Sequence, residues 1–225
     1  IYIGGKLHNT GSAGSGVLNI NDGGVVRFAG GGQSTTPGAQ AWRVWLNPWA
    51  RGSNGATINL KSGGTLETAR VLSEGYHGAA AINIDGGTLK ALGNGDLIHT
   101  DNDANLSVTI NSGGLTVDPN GYNVRIAKPM GGTGALTLDG NGGGTLRLNK
   151  ANTYTGGTTV ENGTLLLQYA SKGVGTIRGA LTVNADGVVD YSTNNTFGWW
   201  PNDTSNDPQS ITSLTINGGR VGGNN

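Results

Sequence analysis

The sequence contains no cysteine, one methionine, two phenylalanines and six prolines, and only 12% of its 225 residues are charged. Disulfides are therefore unavailable as a source of stability, although a long β stack takes its core from neighbouring coils and does not need them. The redox compartment is left open by that count. Fourteen basic residues balance fourteen acidic ones, so no basic field exists to hold nucleic acid or an anionic membrane surface. No apolar run approaches the roughly 18 residues that a membrane-spanning helix needs. The chain opens Ile1-Tyr2-Ile3-Gly4-Gly5, without an initiating methionine or a signal peptide, and reads as a piece of something longer.

What is abundant is glycine, 43 residues of it. Without a strict three-residue period this excludes collagen and points to low complexity or to a β architecture rich in tight turns. Periodicity decides for the second. Short strands with Asn or Thr in the middle, apolar at both flanks in seven of eight cases, recur as Leu18-Asn19-Ile20, Ile58-Asn59-Leu60, Ile82-Asn83-Ile84, Val108-Thr109-Ile110, Leu136-Thr137-Leu138, Thr158-Thr159-Val160, Leu181-Thr182-Val183 and Leu214-Thr215-Ile216. Alternation with period two puts the flanking residues on one side of a strand and the middle Asn or Thr on the other. Most are followed by a glycine turn, such as Ser62-Gly63-Gly64 or Asp85-Gly86-Gly87, and then by a second strand carrying Val26, Leu66, Leu89, Leu146, Leu165, Val189 or Val221.

Equivalent residues at equivalent places stack directly only if successive units run parallel. The expected fold is therefore all-β, a right-handed parallel β-helix of about eight coils in a single domain, with Asn19, Asn59 and Asn83 forming one ladder and the threonines continuing it. Inward Ile, Leu and Val columns make a narrow core that no coil could bury alone.

Residues 134–167 read GALTLDGNGGGTLRLNKANTYTGGTTVENGTLLL. This stretch resembles the autotransporter-associated β-strand repeat, also called the passenger-associated transport repeat, most specifically in ANTYTGGTTV and in Gly163-Thr164-Leu165. The resemblance implies a secreted or surface-exposed bacterial β-helix. Its motif is structural and transfers no catalytic residue.

Functional residues are expected where the repeat is broken. The first residues of the eight strands, 18, 58, 82, 108, 136, 158, 181 and 214, are separated by 40, 24, 26, 28, 22, 23 and 33 residues. The two long units contain insertions at about 29–55 and 192–210, and all five tryptophans, Trp42, Trp45, Trp49, Trp199 and Trp200, fall inside them. They either pack loops onto the rod or form an aromatic platform for sugar rings. A further strand recurs as Arg43-Val44-Trp45-Leu46, Arg70-Val71-Leu72, Leu97-Ile98-His99 and Val124-Arg125-Ile126. With Val44, Val71, Leu97 and Val124 inside, Arg43, Trp45, Arg70 and Arg125 point out, and Tyr76, His77, His99, Asp101, Asp103, Tyr122 and Lys128 lie in adjoining turns.

On this reading the chain is a non-catalytic carbohydrate-binding module. It takes xylan or a similar β-1,4-linked plant cell-wall polysaccharide through Trp45, Trp49, Trp42, Tyr76, Arg70, His99, Asp101, Arg125, Trp199 and Trp200. It resembles the β-helical modules fused to glycoside hydrolases such as xylanases. The alternative is a segment of an autotransporter-type passenger or bacterial surface adhesin. No paired carboxylates suited to glycoside hydrolysis are apparent, and no cofactor is expected. Calcium is considered at Asp101 and Asp103 or at Asp203 and Asp207, without the nonapeptide of calcium-binding β-rolls.

Overall fold

A computed structural model describes residues 2–3, 14–28, 43–46, 55–73, 79–99, 105–169, 175–192, 196–197 and 211–223. Most of the two insertions, with His77, Asp103, Asp203 and Asp207, lies outside these residues. The described residues hold twenty strands and no helix. A strand β1 (Tyr2–Ile3) is followed by β2 (Gly16–Ile20), β3 (Val25–Arg27) and β4 (Arg43–Leu46). The same three-strand order repeats as β5 (Ala56–Lys61), β6 (Thr65–Thr68) and β7 (Arg70–Ser73), and as β8 (Ala80–Asp85), β9 (Gly87–Ala91) and β10 (Gly95–Ile98). Then come β11 (Leu106–Ile110), β12 (Leu115–Asp118) and β13 (Asn123–Ile126), and β14 (Met130–Gly132), β15 (Leu136–Asp139) and β16 (Thr145–Leu148). The last four are β17 (Thr158–Leu167), β18 (Gly179–Tyr191), β19 (Ile211–Asn217) and β20 (Arg220–Gly223).

All pairing between these strands is parallel, and each strand pairs with its counterpart one turn away. The chain is a parallel β-helix with three faces. The first face has the order β14-β11-β8-β5-β2. A second face runs β3-β6-β9-β12-β15, and the third runs β1-β4-β7-β10-β13-β16. The long strands β17 and β18 turn the corner and join the second and third faces into one sheet. β17 pairs with β15 through its first half and with β16 through its second.

The asparagine ladder forms as the repeat requires. Asn59 Nδ2 donates to Asn19 Oδ1 at 2.8 Å, and Asn83 Nδ2 donates to Asn59 Oδ1 at 3.0 Å. Thr109 stands in register with Asn83, but the later threonines do not extend this column. Thr137, Thr159, Thr182 and Thr215 stack instead on Thr116 and Thr88, on the second face. The eight similar tripeptides thus belong to two faces, and the repeat changes phase between residues 108 and 136. Val108 is opposite Met130, and Leu136 is opposite Leu115. A polar residue flanked by apolar ones before a glycine corner suits either face equally, so local pattern alone does not distinguish them.

A second difference concerns the third face. Val71 is opposite Ile98, not Leu97, and on the other side of β10 the register with β13 shifts between Asp96 and Ile98. Leu97 and Ile98 are both buried, and the bulge brings Asp96 opposite Arg125.

Neighbouring coils, rather than the coil itself, bury the core. Leu181 and Val183 are 0% exposed, whereas their column partners on the outermost strand β19, Leu214 and Ile216, are 46% and 50% exposed. Each fully buried Leu or Ile contributes about 1.5–3 kcal/mol, and that term arises only when the next coil is in place.

Close stacking leaves little room at the corners. A Cβ at Gly156 would meet the backbone of Gly134 and Ala135, whereas a Cβ at Gly14 meets nothing within 4 Å. Gly156→Ala is expected to destabilise by about 1–3 kcal/mol and Gly14→Ala by less than about 0.5 kcal/mol, read as urea midpoints at unchanged m.

Candidate functional site

Two arrangements stand out, one outside the rod and one inside it. The outer one lies on the third face, where β10 and β13 set Asp96 beside Arg125. Arg125 Nε donates to Asp96 Oδ1 at 2.5 Å and its Nη2 donates to Oδ2 at 2.6 Å, a two-pronged pair. His99 Nδ1 lies 2.6 Å from Asp96 Oδ2. Facing an ionised carboxylate, Nδ1 must carry the proton. Burial alone would raise the Asp96 carboxyl, but the hydrogen bonds and charges of Arg125 and His99 outweigh it and hold the group below its usual range. The Arg125 guanidinium is held above its usual range by its bond to Asp96.

The inner arrangement lies in residues 151–158. Asn152 is 1% exposed and joins the backbones on either side of it. Its Oδ1 accepts from Met130 N at 2.9 Å, and its Nδ2 donates to Thr176 O at 2.8 Å and to Lys150 O at 3.1 Å. Tyr154 is fully buried and its hydroxyl shares a 2.7 Å hydrogen bond with Thr158 Oγ1. Burial pushes its phenol well above the ordinary range, only partly offset by that bond. The backbone N–H groups of Thr153, Thr155 and Gly156 donate to the carbonyls of Met130, Gly132 and Gly134. Residues 151–156 therefore continue the first face without being a regular strand.

The residues expected to bind sugar fare differently. Trp42, Trp49, Tyr76, Asp101, Trp199 and Trp200 lie outside the described residues. Trp45 is 6% exposed and in register with the fully buried Leu72, so its indole presents no open face on which a sugar ring could stack. The outward side of β4 is therefore covered at Trp45, against the expectation from alternation. His99 and Arg125 do come together, but through Asp96, which sequence reasoning missed. The signal was available: Asp96 and Arg125 are 29 residues apart, near one coil of separation. Arg70 lies on the adjoining strand β7, where its Nη2 would be 3.8 Å from a Cβ at Gly95. Among the described residues no group of three or more His, Asp or Glu is arranged to hold a metal ion.

Because the folded-state pKa of Asp96 is depressed, its contribution to stability is present above the unfolded value of about 3.9 and lost as pH falls through the folded value. Asp96→Asn is expected to lower the melting temperature at neutral pH, with the gap to the parent narrowing progressively below about pH 4. A gap unchanged between neutral pH and pH 3 contradicts the assignment.

No curated protein and no solved structure matches the chain. A family model described as the passenger-associated-transport-repeat matches residues 141–167. That stretch contains Asn152, Tyr154, Gly156 and Thr158, so the part of the chain that is similar to the passenger repeat is the part that stitches its coils together.

Proposed function

We propose that the chain is a length of the extracellular shaft of an autotransporter-type bacterial passenger, a secreted or surface-exposed scaffold with no reaction of its own. One observation carries this reading: three residues of the segment matching the passenger repeat, Asn152, Tyr154 and Thr158, are used inside the rod. Asn152 bonds to Met130 and Thr176, and Tyr154 is sealed in the core. Groups so placed hold coils together and are not presented to a substrate.

Absence of catalysis is part of the same proposal. Both oxygens of Asp96 are engaged by Arg125 and His99, which suits a structural clamp better than a proton donor or nucleophile. Stacking of a neutral plant glycan on Trp45 is not part of this reading, because Trp45 is buried.

A stack of this kind grows by adding coils to an existing end, each new coil burying its apolar columns on the last. Such growth suits a chain that emerges progressively across a membrane. The test is export: the chain is placed ahead of a translocating β-barrel in an outer-membrane host, and its surface exposure is read by an antibody on intact cells. The parent should reach the surface folded. Asn152→Ala, which leaves the Met130 N–H without its side-chain acceptor at a cost of about 1–3 kcal/mol, should lower the displayed amount several-fold. Retention of the parent inside the cell, or display indifferent to Asn152, would overturn the proposal.

A further inference from the structure

The chain contains six Asn-Gly pairs, and the fold treats one of them differently from the rest. An Asn followed by Gly is prone to lose its side-chain amide, because a residue without a Cβ lets its backbone nitrogen reach the side-chain carbon of its neighbour. In a folded chain this needs an attacking N–H that is not tied up and an Asn side chain free to turn. Four pairs fail on one count or both. Asn94 Oδ1 accepts from Asn123 N at 2.8 Å. Asn120 Nδ2 donates to Ala91 O, and Gly121 N donates to Gly143 O, both at 3.1 Å. Asn162 Nδ2 donates to Asp139 Oδ1 at 2.7 Å, and Gly163 pairs with Gly187 within the ladder of β17 and β18. Asn217 Nδ2 donates to Asn184 Oδ1 at 2.9 Å. In a fifth pair Gly55 N donates to Ser15 Oγ at 3.1 Å, and Asn54 lies outside the described residues. Asn141 and Gly142 meet both conditions. Both are exposed, and among the described residues the Asn141 side chain makes no hydrogen bond and the Gly142 N–H has no acceptor. Asn141 lines an open recess with Asn162, Thr164 and Asp186, so water reaches it.

We propose that Asn141 is a site of spontaneous deamidation, converted to Asp or isoaspartate while the rod stays folded. The Gly142 nitrogen bonds to the Asn141 side-chain carbonyl carbon, the bond from that carbon to the amide nitrogen breaks, and ammonia leaves with the proton given up by Gly142. Water then opens the resulting succinimide at either carbonyl, leaving Asp or an isoaspartyl linkage. The position tolerates both products. Residues 140–144 join β15 to β16 without belonging to either strand, so the extra backbone carbon of isoaspartate falls outside the ladders. The new carboxylate shares the recess with Asp186, and both groups are exposed, where solvent and salt screen their repulsion. The same reaction at Asn162 would replace the donor to Asp139 by a second carboxylate, in a strand paired on both sides with β15 and β18. The corner at Asn141 thus gains a negative charge without loss of the stack.

The test uses the purified chain, so it does not depend on export. The protein is held at mildly alkaline pH, which favours loss of the proton from the attacking nitrogen, and samples are digested with trypsin. Residues 126–147 leave as one peptide, because the Lys128-Pro129 bond resists cleavage, and Asn141 is its only amide side chain. Mass spectrometry reads the exchange of amide nitrogen for oxygen there, and labelling by an isoaspartyl methyltransferase reads the isoaspartate. In the folded chain Asn141 should react about tenfold faster than Asn94, Asn120, Asn162 and Asn217, whose hydrogen bonds must first open, and the gap should close when the chain is unfolded in urea. Asn141→Asp, which carries the charge of the product, should melt with the parent, whereas Asn162→Asp should melt lower. A folded-state rate at Asn141 no faster than at the other four, a gap undiminished in urea, or an Asn141→Asp variant melting well below the parent would each overturn the proposal.

Discussion

Backbone hydrogen bonds between successive turns are the interaction on which the rest of this structure depends. A strand here finds its partner not across a hairpin but one full turn along the chain, from 19 residues at Thr145 and Thr164 to 43 at Tyr2 and Trp45. The entropy of closing such loops grows only slowly with length, which is why an insertion between β3 and β4 or between β18 and β19 leaves the register beyond it intact. Every apolar column follows from this pairing, and so does the tolerance for so much glycine. Corners that pack backbone against backbone, as Gly156 does over Gly134 and Ala135, leave no space for a side chain.

The same constraint separates what the chain uses to stand from what it can offer to a partner. Inward groups are committed. Asn152 replaces strand pairing where residues 151–156 depart from regular geometry, and Tyr154 fills the core beneath it. The segment similar to the passenger repeat is thus a joint in the rod. Outward groups differ from face to face: an amide ladder on the first, alternating charges on the second, and Arg125 beside Arg147 on the third. A shaft whose faces differ while its core repeats is suited to a surface protein that presents side chains along a length.

Much of this was legible in the sequence, for a physical reason. Period-two alternation with glycine at fixed offsets admits few folds, and identical residues at identical offsets require parallel stacking, so the Asn19, Asn59 and Asn83 ladder could be read directly. The phase change between residues 108 and 136 could not, since both faces draw on the same short pattern and only register tells them apart. The bulge at Asp96 and Ile98 was hidden because Leu97 and Ile98 are both apolar, and with it went the Asp96, His99 and Arg125 cluster. Trp45 misled in another way: alternation fixes which side of a strand a residue occupies, but not whether that side is covered.

The central claim is that residues 151–156 are bonded into the stack although they form no regular strand. Amide hydrogen exchange measured residue by residue tests it most directly. The account predicts that the N–H groups of Thr153, Thr155 and Gly156, which donate to Met130, Gly132 and Gly134 at 2.7, 3.0 and 3.2 Å, exchange as slowly as those of the adjoining strand β17. Exchange of these three amides at the rate of an unstructured peptide, with β17 protected, would contradict it.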